Sequence, residues 1–154
     1  MPAESHVENS PWIGSFRTTG NDGKVEEFLM SVGHTKENAK RLGTPVTTFT
    51  FSNNDGKCGY RIEFEGFSKD TPFELGKPFQ YPAKNRGEGV IITQRYDWTE
   101  PTRTMRSTVK TTEGFDFTED YTFAPDYNSA ELVRTSPSVQ SRTVLQRIAE
   151  CKPL

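Results

Sequence analysis

The stretch Phe115-Asp116-Phe117-Thr118-Glu119-Asp120-Tyr121-Thr122-Phe123 decides the fold. Aromatic rings stand at 115, 117, 121 and 123, and every residue between them is Asp or Thr, with Glu119 the one polar member of the odd set. A period of two puts alternate side chains on opposite faces of an extended chain. The stretch is therefore a strand with an aromatic face turned to a core and a polar face turned to water.

The same alternation recurs on either side. In 90–98 the even positions are Val90, Ile92, Gln94, Tyr96 and Trp98, against Ile91, Thr93, Arg95 and Asp97. Further strands are read at Arg103–Thr111, Glu131–Thr135 and Val139–Ile148, and before them at Val46–Phe51, Tyr60–Phe64, Phe73–Gly76 and Phe79–Gln80. Pro11-Trp12-Ile13-Gly14-Ser15-Phe16 opens the first. Turn residues punctuate them: Asn53-Asn54-Asp55-Gly56, Glu100-Pro101-Thr102, Glu113-Gly114, Pro125 to Asn128, and Ser136-Pro137-Ser138. The chain carries 19 threonines, a residue that suits pleated surfaces. About ten strands in up-and-down order leave two open edges, which closure into an antiparallel barrel removes. A packed β-sandwich would satisfy the same alternation.

One segment breaks the pattern. Val25, Phe28, Leu29 and Val32 form a single apolar stripe at helical spacing. Gly33 stands where a helix ends, Thr35 can cap a second helix over Lys36–Leu42, and Gly43 and Pro45 stop it. Two short helices with a tight turn, near 24–43, form a hairpin set among strands.

Composition narrows the function. The 154 residues amount to one domain, read here as a flexible arm over 1–10 and a single barrel over 11–154. Hydrophobic residues are 32%, low for a dense aliphatic core, yet aromatics are 12% with 11 Phe, which suits a fold around a cavity. Net charge is -2 with no Lys/Arg block, so no nucleic-acid partner is expected. The longest aliphatic run is Val90-Ile91-Ile92, and the first residues lack a signal-peptide pattern. Cys58 and Cys151 read as reduced thiols of a cytoplasmic protein. His6 and His34 are far apart and unsupported, so no metal is expected. No nucleophile or phosphate-loop motif is present.

Three stretches resemble the intracellular lipid-binding proteins, the cytoplasmic fatty-acid- and retinoid-binding family. Trp12-Ile-Gly14-Ser-Phe16-Arg17 resembles the family's opening strand. Val25-Glu-Glu-Phe-Leu-Met-Ser-Val-Gly33 resembles its first helix. Glu65-Gly-Phe67 through Phe73-Glu-Leu-Gly76-Lys-Pro-Phe79 resembles its Phe-to-Leu-Gly-x-x-Phe segment, one residue shorter. The order holds from about 11 to 149. The resemblance implies a calycin-like, ten-stranded antiparallel barrel with a helix-turn-helix lid. It implies reversible carriage of one hydrophobic small molecule by a monomer, with neither catalysis nor cofactor. Phe28, Leu29 and Phe67 would border the entrance, Phe67 from a turn facing the helix. Ile92, Met105, Phe117 and Tyr121 would line the interior.

The departures concern the ligand's head group. Many members of that family clamp a carboxylate with two arginines and a tyrosine, the last two as Arg-x-Tyr on the final strand. No such motif ends this chain. Aligned on the turn at Asp126, the three positions hold Phe123, Thr143 and Leu145. A one-residue slip would instead bring Arg142 inward, and strand parity makes the two registers exclusive. Alternation favours Thr143 and Leu145 inside, since Gln140, Arg142 and Gln146 suit solvent. The ligand would then be neutral or weakly polar, or carry a carboxylate near the entrance.

Other groupings have two readings each. Glu63 and Glu65 lie two apart on a strand, so on one face, as an acid–base pair or as solvated carboxylates. Lys36, Lys40 and Arg41 suit transient contact with an anionic membrane or plain solubility. Two further functions fit the barrel: an enzyme, such as an isomerase or an oxygen-using light-emitting enzyme with Glu119 as base, or a self-filled interaction module.

Overall fold

The computed structural model describes residues 10–43, 46–54, 57–83 and 89–148. Most of the expected N-terminal arm, Pro45, the 55–56 turn and Cys151 lie outside them. Ten strands form: β1 (Gly14–Asn21), β2 (Thr48–Asn54), β3 (Lys57–Phe64), β4 (Phe67–Phe73), β5 (Phe79–Pro82), β6 (Ile91–Thr99), β7 (Thr104–Thr111), β8 (Asp116–Phe123), β9 (Ser129–Thr135) and β10 (Gln140–Arg147). Two helices, α1 (Val25–Ser31) and α2 (Lys36–Gly43), interrupt them after β1. Among the described residues no helix is long and apolar enough to cross a membrane.

All paired strands are antiparallel, in the order β4-β3-β2-β1-β10-β9-β8-β7-β6-β5. The first and last strands thus meet in mid-sheet, and the two edges are β4 and β5. Side chains span the gap between these edges. Phe73 on β4 stacks on Tyr96 of β6 at 4.1 Å, and Lys69 Nζ lies 4.8 Å from the Tyr81 ring on β5. The barrel is therefore closed by backbone everywhere except at β4 and β5, where rings and one lysine bridge it.

Two expectations need correction here. Phe73–Gly76 is not a strand of its own: β4 ends at Phe73, and Gly76 turns at φ +76 with its N–H on Tyr96 O at 2.8 Å. The strand itself begins at Phe67, where a turn was expected. Its polar Ser68-Lys69-Asp70 and its Pro72 hide it from periodicity, and Pro72 is tolerated because β4 is an edge. Likewise Glu65 does not share a strand with Glu63. Glu65 and Gly66 form a two-residue hairpin turn with Gly66 at φ +77, and strand parity restarts after it. Phe64 and Phe67 consequently pair across the turn and stack at 4.8 Å, while Glu63 stays on the outer face beside Arg61 at 3.4 Å.

The lid is fixed at both ends. Asp22 Oδ1 accepts from Lys24 N–H at 3.1 Å, and its Oδ2 accepts from Arg142 N–H at 3.1 Å, so the start of α1 is tied to β10. At the C-terminus His34 N–H reaches Leu29 O and Gly33 N–H reaches Met30 O, at 3.1 and 3.2 Å, with Gly33 at φ +98. This paired closure satisfies carbonyls the helix would otherwise leave open. Thr35 caps α2 through Asn38 N–H at 3.1 Å. The α1 face then buries Val25, Phe28 and Val32, and Phe28 meets Phe117 of β8 edge-on at 5.4 Å.

A cluster of large buried side chains lies at the opposite end. Trp12, Phe16, Phe51, Met105, Phe123 and Leu145 are buried in one cluster with Trp98 against it. Arg147 seals that end. Its guanidinium donates to the carbonyls of Tyr127 at 2.8 Å, Ile13 at 3.0 Å and Pro11 at 2.6 Å, and lies 4.6 Å from the Phe16 ring. Gly14, at φ +144, makes room for it: a Cβ there would collide with Arg147 Nη1.

Candidate functional site

The interior has two tiers. Below is the aromatic cluster. Above it a polar row crosses five neighbouring strands in register: Tyr96 opposite Ser107, Ser107 opposite Glu119, Glu119 opposite Arg134, Arg134 opposite Ser141. Directly paired residues of a sheet point to the same face, here the inner one, because Ser107 and Ser141 are fully enclosed.

Most of the row is satisfied internally. Gln94 Nε2 donates to Ser107 Oγ at 2.7 Å and to Tyr96 Oη at 3.1 Å, and Gln94 Oε1 accepts from Tyr81 Oη at 2.7 Å. Tyr60 and Tyr121 share a hydrogen bond of 2.5 Å between their hydroxyls. Arg134 Nε donates to Glu119 Oε2 at 3.2 Å, with side chains 12% and 21% accessible. Burial pushes the phenols of Tyr60, Tyr96 and Tyr121 up from their ordinary range, and the nearby Glu119 carboxylate pushes all three the same way. These hydroxyls therefore stay protonated donors at neutral pH.

Two hydroxyls are left over. Ser141 Oγ and Thr143 Oγ1, on residues 0% and 4% exposed, face inward from β10 with no hydrogen-bond partner. Natural interiors pair nearly all such groups. A third unpaired atom, Asn53 Nδ2, lies at the far end of the barrel.

The sequence-derived residues fall in three zones. Phe28 is buried under the lid on Phe117, while Leu29, Phe67, Ile92 and Phe117 are half-buried at the lid end. Met105, Tyr121, Phe123 and Leu145 are buried in the lower cluster. Thr143 is inside, and Arg142 is outside, where it binds Glu131 at 2.8 Å. Sequence reasoning missed Arg134. Its parity with Ala130 and Leu132, both buried, was the available signal. Glu119, a candidate base in the enzyme reading, is held by that arginine rather than standing alone. Among the described residues no three His, Cys, Asp or Glu side chains are grouped to hold a metal ion.

No protein-family model matches the chain, and no curated protein matches it significantly. Solved structures do match. A Schistosoma mansoni fatty acid binding protein in complex with arachidonic acid superposes with a TM-score of 0.78, at 11% identity over 92% of this chain and 99% of that one. Caenorhabditis elegans lipid binding protein 8 gives 0.78, at 11% identity over 91% and 97%. The chain has the fold of the fatty-acid-binding proteins. An abundant heat-soluble protein of Ramazzottius varieornatus shares that fold, with a TM-score of 0.75 at 13% identity over 90% and 96%. Ten strands, a helix hairpin after the first, and edges at β4 and β5 make that fold here, and the interior of this barrel carries the polar row described above.

Proposed function

We propose that the chain binds one hydrophobic small molecule, a fatty acid, retinoid or similar lipid, reversibly inside the barrel and carries it without catalysis or cofactor. One observation carries the reading. Ile62, Phe64, Phe67, Ile92 and Phe117 stand on the inner face yet remain partly accessible beneath the lid. Inward apolar side chains that are not packed shut face space an apolar chain would fill. The Schistosoma relative, solved with arachidonic acid, supports the same reading. On this reading Phe28, Leu29 and Phe67 of this chain border the entrance, and Ile92, Met105, Phe117 and Tyr121 line the path to Phe123, Thr143 and Leu145. The carrier works as a cytoplasmic monomer, its α2 residues Lys36, Lys40 and Arg41 favouring brief contact with anionic membranes during transfer.

Native mass spectrometry of the purified protein, followed by titration of the delipidated protein with a fluorescent fatty acid, tests this. A single bound molecule and saturable 1:1 binding are expected. A ligand-free mass together with no saturable binding would leave a self-filled barrel and overturn the proposal.

A further inference from the structure

The polar row specifies the head group of the ligand, an inference that rests on the binding function just proposed. We infer that the barrel selects amphiphiles with an uncharged, hydroxyl-bearing head over carboxylates, and seats that head on Ser141, Thr143 and the Glu119–Arg134 pair.

Three observations lead there. First, Ser141 Oγ and Thr143 Oγ1 are enclosed and unpartnered. They stand two residues apart on one face of β10, about 7 Å along the strand. Each hydroxyl both donates and accepts, so a head group able to do both satisfies them most fully. Second, the arginine of the polar row is already neutralised. Arg134 Nε holds Glu119 Oε2 at 3.2 Å, and Arg134 lies directly opposite Ser141 in the β9–β10 register. Among the described residues its guanidinium draws no other bond, so its terminal nitrogens remain for a ligand oxygen. A carboxylate arriving there would gain Arg134 and meet the Glu119 charge at close range, in surroundings where screening by water is weak. An alcohol or glyceryl oxygen gains the same donors without that repulsion. Third, the positions able to supply an uncompensated cation deep inside are closed. Phe123 and Leu145 are apolar, and Arg142 is outside on Glu131.

The geometry also orders the ligand. Its head lies at the level of the row, above the aromatic cluster, and its chain runs toward the lid between Ile92 and Phe117. Selectivity follows from one residue pair, so changing the charge balance of that pair reverses the preference.

Displacement of a bound fluorescent probe by oleyl alcohol, 1-monoolein and oleate at pH 7.4 reads this out. Oleyl alcohol or monoolein should bind at least tenfold tighter than oleate. Glu119→Gln leaves Arg134 uncompensated and should shift the ratio tenfold or more toward oleate. The double change Ser141→Ala, Thr143→Val should weaken oleyl alcohol severalfold and move oleate less. Arg142→Ala should leave the ratio as in the natural protein. Equal or tighter oleate binding by the natural protein overturns the inference while sparing the binding function. So does an unchanged ratio in folded Glu119→Gln. Should the variants fail to fold, the ratio in the natural protein decides alone. No displacement by any of the three, with no probe binding, overturns the proposed function itself.

Discussion

At the residue scale, the barrel interior is decided by which polar atoms find partners. Tyr60 and Tyr121 satisfy each other. Replacing either by Phe strands the remaining hydroxyl among rings, which should cost about 1–3 kcal/mol. Removing both should cost less than the two single changes together. Urea unfolding of the three variants measures the coupling, and strictly additive losses would show that the contact is idle. The raised phenol pKa values carry a pH consequence with a definite sign. Above the ordinary value of 10.0 the unfolded chain loses phenol protons that Tyr60, Tyr96 and Tyr121 keep when folded. The unfolded state then binds fewer protons, so stability is intact below about pH 10 and falls as pH rises beyond it. Tyrosinate absorbance should show three of the five phenols withheld until the fold gives way. Ionisation of all five with the fold intact would contradict this. Arg134 shows where single residues outrun sequence reading. Val133 outside and Arg134 inside invert the usual pattern on β9, and Glu119 is the lone exception on β8. Each looks like noise alone. They make sense as a pair only when the register sets them opposite one another, and register is a property of two strands.

At the scale of elements, legibility followed contrast. Asp116 to Phe123 alternates aromatic with Asp or Thr, and β8 forms there with its rings inside. The α1 stripe and Gly33 marked a helix and its end, and a closed C-terminal cap is found at that glycine. β10 offered less contrast, yet the bulk of Arg142 and Gln140 against Ser141 and Thr143 was enough. β4 offered none. Three polar residues and a proline read as a loop, and only pairing with β3 makes a strand of them. Such an edge is held by one ladder and a few rings, so it is the natural place for the barrel to open. Phe67 heads this strand, half-buried on Phe64. Phe67→Ala should therefore cost about 1 kcal/mol or less in stability. It should nonetheless speed exchange of a bound fluorescent fatty acid severalfold. Stopped-flow transfer to vesicles gives the rate, and identical kinetics in the variant would remove Phe67 from the entrance.

At the scale of the whole molecule, strand order matters more than any contact. β1 has β2 on one side and β10 on the other, and Arg147 pins the end of β10 to the segment before β1 through Ile13 and Pro11. A ribosome makes these partners in the least convenient order. β1 emerges first and its second neighbour last, with nearly the whole chain between them. At about 5–20 residues per second the wait is on the order of ten seconds. Through that interval β1 keeps an open edge, joined at its end by that of β9, exposed to pairing with other chains. The barrel is thus a fold completed only once β10 has been made, and its safety during synthesis depends on chaperones or on speed. A chain ended at Ser136 should be degraded by protease as an unfolded polypeptide would be. A synthetic peptide of residues 137–154 should restore resistance, because it supplies the one strand that both edges lack. Resistance in the shortened chain alone would show that nine strands hold together without the last.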